Sequence, residues 1–278
     1  MITEKEISEL KEKALELRAL TIDAIGFLGV GHIGGAMSII EVLTILYYRW
    51  LRIDVADPVK TDRDRFVLSK GHAGPSLYSV LADKGYFSKD WLHSLNKGGT
   101  RLPSHCDMNL TPGIDFTTGS LGQGASAAVG IALGQKLKQQ NSYTYLLIGD
   151  GESNEGQVWE AAMCAAQYNL ENLIAFTDYN KQQLDGFMHD IMSIDDLNTK
   201  WTGFGWKVER VNGHDFFELD SALARAHLTK GRPTMIILDT IKGKGFYPGE
   251  RAIGNHNLSF DYGTAKEAIQ YLYDQQER

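Results

Sequence analysis

Asp150 and Asn180 are two oxygen-bearing side chains at matching places in the chain. Each follows a short apolar run: Tyr145-Leu146-Leu147-Ile148 leads into Gly149-Asp150-Gly151, and Leu173-Ile174-Ala175-Phe176 leads into Asp178-Tyr179-Asn180. Asp150 offers a hard anionic oxygen and Asn180 a neutral carbonyl oxygen. Mg2+, like Ca2+ or Mn2+, takes oxygen ligands and often shares its shell with phosphate groups and water. The chemistry this pair suits is a diphosphate held through a divalent cation. A main-chain carbonyl from the loop after Asn180, assigned to Gln182, completes the protein's share of that shell. Gly149 and Gly151 allow tight backbone turns and close approach of a ligand. A helix expected to start near Glu155 points its positive end back at the same loop.

The elements that must position these groups are buried parallel strands joined by crossover helices, because the apolar runs do not alternate. Ligands in such units sit beyond the carboxyl ends of the strands. Other titratable residues fall at similar places. Phe66-Val67-Leu68 reads as a strand followed by Ser69-Lys70-Gly71-His72, and Gly74-Pro75-Ser76 opens a helix. Pro233–Thr240 reads as the last strong strand, followed by Ile241-Lys242-Gly243-Lys244-Gly245 and a loop to His256. His105 lies in an irregular stretch over 88–118, which ends at Gly119-Ser120-Leu121-Gly122-Gln123-Gly124 before an Ala/Gly-rich helix reaching about Gln140. On spacing alone, each of these loops also fits a solvated turn carrying an incidental basic residue.

The first part of the chain carries a literal GxGxxG, Gly29 to Gly34, with Asp54 twenty residues on. A dinucleotide-binding turn needs a strand directly before the glycines. Here residues 4–27 repeat apolar positions at helical spacing (Ile7, Leu10, Ala14, Leu17, Leu20), so the glycines read instead as a link exposing His32 between two helices, the second over Ala36–Trp50. Further on, Gly205–Val211 reads as a strand, Asp215 as a helix N-cap, and 264–275 as a closing helix. The fold class expected is α/β, a doubly wound, mainly parallel sheet with helices on both faces, in a single domain over 1–278.

Composition narrows the function classes. The chain has 278 residues, 43% of them hydrophobic, enough for a sizeable core. The net charge of −7 argues against non-specific nucleic-acid binding. Cys106 and Cys164 form no CxxC and read as reduced thiols. No apolar run approaches membrane-spanning length, and the charged amphipathic N-terminus lacks a signal core, so a cytoplasmic location is expected.

A GDG, a helix, and an Asn after the next strand resemble the thiamin diphosphate fingerprint, and EGQVWEA after the GDG resembles transketolases. GHIGG, LSKGHAGP, TGSLGQG and KGKG followed by a His extend the resemblance over essentially the whole chain, though only over the first part of a full-length transketolase. It implies thiamin diphosphate and Mg2+ as cofactors and two-carbon ketol transfer between sugars. It assigns His32, His105 and His256 to substrate, with His256 and Lys242 also at the cofactor, and His72 and Lys70 to the diphosphate. Gly149, Gly151, Glu152 and Asn180 belong to the same cofactor site, and Gly119, Ser120 and Leu121 to the loop over the cofactor rings. Glu155 and Glu160 are implied at an interface between active-site halves. Three departures stand out: Gly35 where some relatives have Ser, Cys106 where Pro is usual, and Asn257 where Gly is usual. The resemblance further implies a partner subunit carrying the pyrimidine-binding domain, in an α2β2 assembly acting on ketose and aldose phosphates or related sugars. Competing readings are another thiamin diphosphate enzyme, such as a deoxyxylulose-phosphate synthase or a 2-oxo acid dehydrogenase component, and a non-catalytic interaction subunit.

Overall fold

The computed structural model describes residues 2–276. A five-stranded, wholly parallel sheet forms its centre, from β2 (Arg65–Leu68), β3 (Thr144–Gly149), β4 (Leu173–Tyr179), β5 (Lys207–Asn212) and β6 (Thr234–Asp239), in the order β2-β3-β4-β6-β5. The register sets Gly149 beside Asp178 and Tyr179 beside Asp239, so the loops after β3, β4 and β6 emerge together. The three inner strands are apolar almost throughout because both of their faces are covered.

Alternate residues supply two cores. Phe66, Leu68, Tyr145, Leu147, Ile174, Phe176, Ile236 and Leu238 face one side, against α1 (Glu4–Leu28), α3 (Ile40–Ile45), α4 (Gly74–Asp83) and α9 (Phe216–Leu228). Val67, Leu146, Ile148, Ala175, Met235 and Ile237 face the other, against α5 (Gln123–Leu137), α6 (Gly156–Gln167) and α8 (Leu197–Gly203). Edge strand β5 is more exposed and charged, with Glu209 and Arg210 paired to Arg225 and Asp239, which discourages pairing with another chain.

α1 starts on a capping box between Thr3 and Glu6 and stops at Gly29, which adopts φ +92°. The segment after it is a two-residue strand, β1 (Val30–Gly31), paired antiparallel with β7 (Leu258–Ser259) and separate from the main sheet. The GxGxxG therefore follows a helix and an isolated ribbon, and lacks the parallel-strand context a dinucleotide fold requires. The helix expected over Ala36–Trp50 is broken. α2 (Ile33–Met37) ends where the Ser38 hydroxyl bonds back to the Gly35 carbonyl, α3 follows, and Leu46–Trp50 widens into a π-helical turn. The helix expected from Glu155 begins at Gly156. Glu155 is extended (ψ 127°), and a 3-10 turn over Gly151–Asn154 separates α6 from the Gly149 loop. α7 (Met188–Ile191) and α8 lie between β4 and β5, Asp215 caps α9 through Phe217 and Glu218 N–H, and α10 (Tyr262–Gln276) closes the chain.

Candidate active site: a histidine-lined cleft at the carboxyl end of the sheet

The loops after β2, β3, β4 and β6 enclose a cleft of about 360 Å3. Gly149, Asp150, Gly151, Asn180 and Gln182 line it together with His32, His72, His105, His256, Lys70 and Lys242. Gly119, Leu121, Glu152 and Glu155 also line it; Ser120 and Glu160 are exposed outside the lining.

Four separate segments bring the histidines together. His32 follows β1 and His256 precedes β7, so the pairing of Val30 with Ser259 and Gly31 with Leu258 sets their approach from one side. From the other, the Gly34 N–H donates to the Asn255 carbonyl at 3.1 Å. A Cβ on Gly34 would collide with that oxygen, so the close pass requires glycine. His72 sits in the 3-10 turn after β2, and His105 on the long loop closed by the Thr118 N–H bond to Cys106 O. Cys106 is buried there and burial pushes its thiol up to about 12, so in place of the usual proline it acts as a small packed side chain. Ring centroids of His32 lie 5.4, 5.5 and 5.2 Å from those of His72, His105 and His256, and His72 and His256 are 4.7 Å apart.

Burial lowers the pKa of all four. His256 falls to about 3, aided by Lys242; His72 falls well below its ordinary value, aided by Lys70; His32 and His105 shift the same way. At neutral pH this is a ring of neutral imidazoles. Each offers one donor and one acceptor and none brings charge, which suits the hydroxyl and carbonyl groups of a sugar better than an anion.

In the same cleft, the Asp150 carboxylate accepts from the Gly151 N–H (2.8 Å) and the Lys181 N–H (2.6 Å). Lys181 adopts φ +68°, folding the chain back so that Asn180 and Gln182 flank Asp150's loop. Burial, then the nearby Asp178, pushes the Asp150 carboxyl up to about 7. Lys70 and Lys242 act on it from a distance, but among the described residues no cation is in salt-bridge contact with it. The buried Gln182 Oε1 lacks a hydrogen-bond partner. A hard divalent cation held by carboxylate, amide and backbone oxygens fits this donor set. Among the described residues no three His, Cys, Asp or Glu gather as a metal-binding group, so a site here relies on the amide and main-chain oxygens and on its ligand's own phosphates.

Three buried residues organise this part of the cleft. Asp178, which carries no sequence-based role, is fully buried and accepts from Lys70 Nζ (2.7 Å), Ser38 Oγ (2.7 Å), Asn180 Nδ2 (2.8 Å) and Thr240 Oγ1. It holds the Asn180 amide with its nitrogen inward and leaves the oxygen for other partners. It also neutralises Lys70, whose remaining short contact is the Gly35 carbonyl at 2.7 Å. Glu152, expected at the cofactor, spends its carboxylate on Ser69 Oγ, Gly122 N–H and Gly149 N–H, tying three loops together. Lys242 is the cleft's less committed cation. Its Nζ donates to the Gln183 carbonyl at 3.1 Å, and burial, with Lys70, lowers it to about 8 against the pull of Asp150.

Residues 10–261 match the family described as transketolase, thiamine diphosphate binding domain. The 6-deoxy-6-sulfo-D-fructose transketolase subunit SqwG of Clostridium sp. (strain MSTE9) is 51% identical over 264 residues, covering 95% of this chain and 96% of its own. One of the subunits of the apulose-4-phosphate transketolase of Actinobacillus succinogenes is 40% identical over 237 residues, 85% of each chain. The crystal structure of transketolase from Campylobacter jejuni superposes with a TM-score of 0.91 at 30% identity, over 96% of this chain and 43% of that one. The chain thus spans less than half of the solved transketolase it matches and nearly all of the Clostridium protein. By sequence and by fold, it belongs to the transketolase family as a thiamine diphosphate binding domain.

Proposed function

We propose that this chain is the diphosphate-binding subunit of a two-subunit, cytoplasmic transketolase, a single domain over 1–278, which forms an α2β2 assembly with a pyrimidine-domain subunit. Among the described residues no helix is long and apolar enough to cross a membrane. The observation that carries the reading is that four neutral histidines line one cleft together with an oxygen set whose buried carboxylate has no contacting cation. Asp150, Asn180 and the Gln182 carbonyl would hold Mg2+, with Ca2+ or Mn2+ as substitutes. Lys242, His72 and, through its buried pair, Lys70 would hold the diphosphate. Gly119, Ser120 and Leu121 would lie against the cofactor rings, with Glu155 and Glu160 at the subunit boundary.

Thiamin diphosphate supplies the nucleophilic carbon and the electron sink that carbon–carbon cleavage of a ketose needs. The protein's own part is orientation and proton handling. His105 binds donor hydroxyls; His32 and His256, neutral at working pH, hold hydroxyl protons near the transferred unit. The identity to subunits of a sulfofructose transketolase and of an apulose-phosphate one supports a ketose with a terminal anionic group, the sulfonated sugar first. The test is to mix the purified chain with its partner subunit, thiamin diphosphate, Mg2+ and an acceptor aldose and follow aldose release from 6-deoxy-6-sulfo-D-fructose and from ketose phosphates. Turnover of pyruvate instead would overturn the reading.

His256→Ala is expected to lower kcat by roughly a hundredfold or more while cofactor affinity shifts much less, because the site keeps Lys242 and the cation ligands. Steady-state kinetics beside calorimetric cofactor titration checks this; equal losses in both would place His256 at the diphosphate alone.

Lys242 sets a pH signature. Its free pKa is about 8, and a bound diphosphate must raise it. Affinity for the cofactor is therefore full below pH 8 and declines as pH rises through 8, by up to about tenfold per unit, with proton uptake on binding. Calorimetry in buffers of different ionisation enthalpy reads that proton directly. Lys242→Met should bind more weakly and lose the decline.

A further inference from the structure

Beneath the Lys242 loop runs a chain of buried polar groups that ketol transfer does not itself use. Arg18 on α1 pairs with Glu41 on α3, and both are nearly excluded from solvent. The second Glu41 oxygen lies 3.0 Å from His214 Nδ1. The other imidazole nitrogen, Nε2, lies 2.9 Å from the amide nitrogen of Ile241. A backbone N–H can only donate, so Nε2 carries the lone pair. Nδ1 therefore bears the proton and donates to Glu41.

Arg18 completes the arrangement from the opposite end. Its Nη1 donates to the Lys244 carbonyl at 2.6 Å and to the Met37 carbonyl at 2.8 Å. The three side chains thus grip one short segment twice: His214 takes the N–H of Ile241, and Arg18 takes the C=O of Lys244. Lys242 lies between the two grips. Gly243, at φ +79°, adds an N–H bond to the Gly34 carbonyl at 2.9 Å, which links the same segment to the turn after His32.

A buried ion pair is a poor source of stability. Its desolvation cost commonly equals what apolar packing of the same volume would give. What such a network does supply is a fixed geometry, since every donor and acceptor has one partner and removing any member strands another. The segment it fixes carries the cleft's less committed cation.

We infer that Arg18, Glu41 and His214 form a positioning bracket that sets the backbone of residues 241–244 and thereby aims Lys242 into the cleft. What Lys242 meets there rests on the diphosphate reading above; the bracket itself does not.

The test uses the full chain and four variants: His214→Ala, His214→Gln, Lys242→Ala, and His214→Ala with Lys242→Ala. Nitrogen-15 spectra of the wild type should show His214 protonated at Nδ1. Amide exchange at Ile241 should quicken by roughly a hundredfold in His214→Ala, as expected for a local opening, while the core strand amide of Phe176 is unchanged. Binding of Mg2+-pyrophosphate, by calorimetry, should weaken about tenfold in His214→Ala. His214→Gln, whose side-chain oxygen can still accept from Ile241, should recover most of it. In the Lys242→Ala background the His214 change should cost nothing more, because its effect acts through that lysine. An Nε2-protonated His214, an unchanged Ile241 exchange rate, or an equal loss in both backgrounds would overturn the bracket. A wild-type chain that does not bind Mg2+-pyrophosphate would count against the diphosphate reading, and the tautomer and exchange results would then decide the bracket alone.

Discussion

Asp150→Asn should abolish cation-dependent binding of thiamin diphosphate, weakening it by more than about a hundredfold, since even changes one shell further from a metal cost ten- to a hundredfold. The substitution keeps shape and volume. It removes the anionic oxygen proposed to hold the cation, and an asparagine there presents an amide nitrogen or a weaker carbonyl instead. The same change should have the opposite effect on the ligand-free chain. There the Asp150 carboxyl is raised to about 7, by burial and then by Asp178. A raised acid means that the folded chain keeps a proton the unfolded chain has shed. Stability from this group is therefore present below the unfolded value near 4, falls as pH rises towards 7, and is absent above it. Asparagine does not carry that penalty. At pH 8, without metal, the variant should melt a few degrees higher than the wild type, with the gap closing towards pH 4. Calorimetry with Mg2+ and cofactor, beside thermal melts across pH, reads both signs. Unchanged cofactor affinity would remove Asp150 from the site.

The legible part of this molecule is the part with local grammar. Two apolar runs ending in GDG and DYN mark adjacent parallel strands with their loops at one end, and the register of Gly149 with Asp178 agrees. Three of the histidines are singled out by the motifs that carry the resemblance, GHIGG, LSKGHAGP and KGKG followed by a His, and His105 by the resemblance and its irregular stretch. Their mutual approach depends on the β1–β7 ribbon and the Gly34–Asn255 bond, pairings between distant segments that no window contains. Periodicity puts the start of α6 within one residue, at its N-cap Glu155, but does not reveal the 3-10 turn that precedes it. Buried charge is the larger omission. Arg18 meets Glu41 across 23 residues and Glu41 meets His214 across 173, so no spacing rule links them. One signal is present: Asp178 is a charged residue at the end of a run that is otherwise fully buried, and such a residue needs a partner. Lys70, at the end of the neighbouring loop, is the residue to pair it with.

The purified chain, given thiamin diphosphate, Mg2+ and sugar, should turn over at least about a thousandfold more slowly than the same chain mixed with a pyrimidine-domain subunit. That factor is in the range that loss of an acid–base group produces. By resemblance, the cofactor's aminopyrimidine needs a glutamate to hydrogen-bond it. The carboxylates lining the cleft are Asp150, Glu152 and Glu155. Asp150 is directed at the cation. Glu152 is consumed by Ser69, Gly122 and Gly149. Glu155 is exposed on the rim at the start of α6. Asp178, beneath, is committed to Lys70. The rim also leaves Leu121 and Leu184 at 36% and 60% exposure, apolar side chains beside a site that must exclude water to work well. A covering protein surface that brings its own glutamate meets both needs. Titrating partner into a fixed amount of this chain should raise activity to a plateau at one to one. At that point Leu121 and Leu184 should become protected in a labelling or exchange experiment. Full activity from this chain alone would mean that one of its own carboxylates does the work, and Glu155→Gln would identify it.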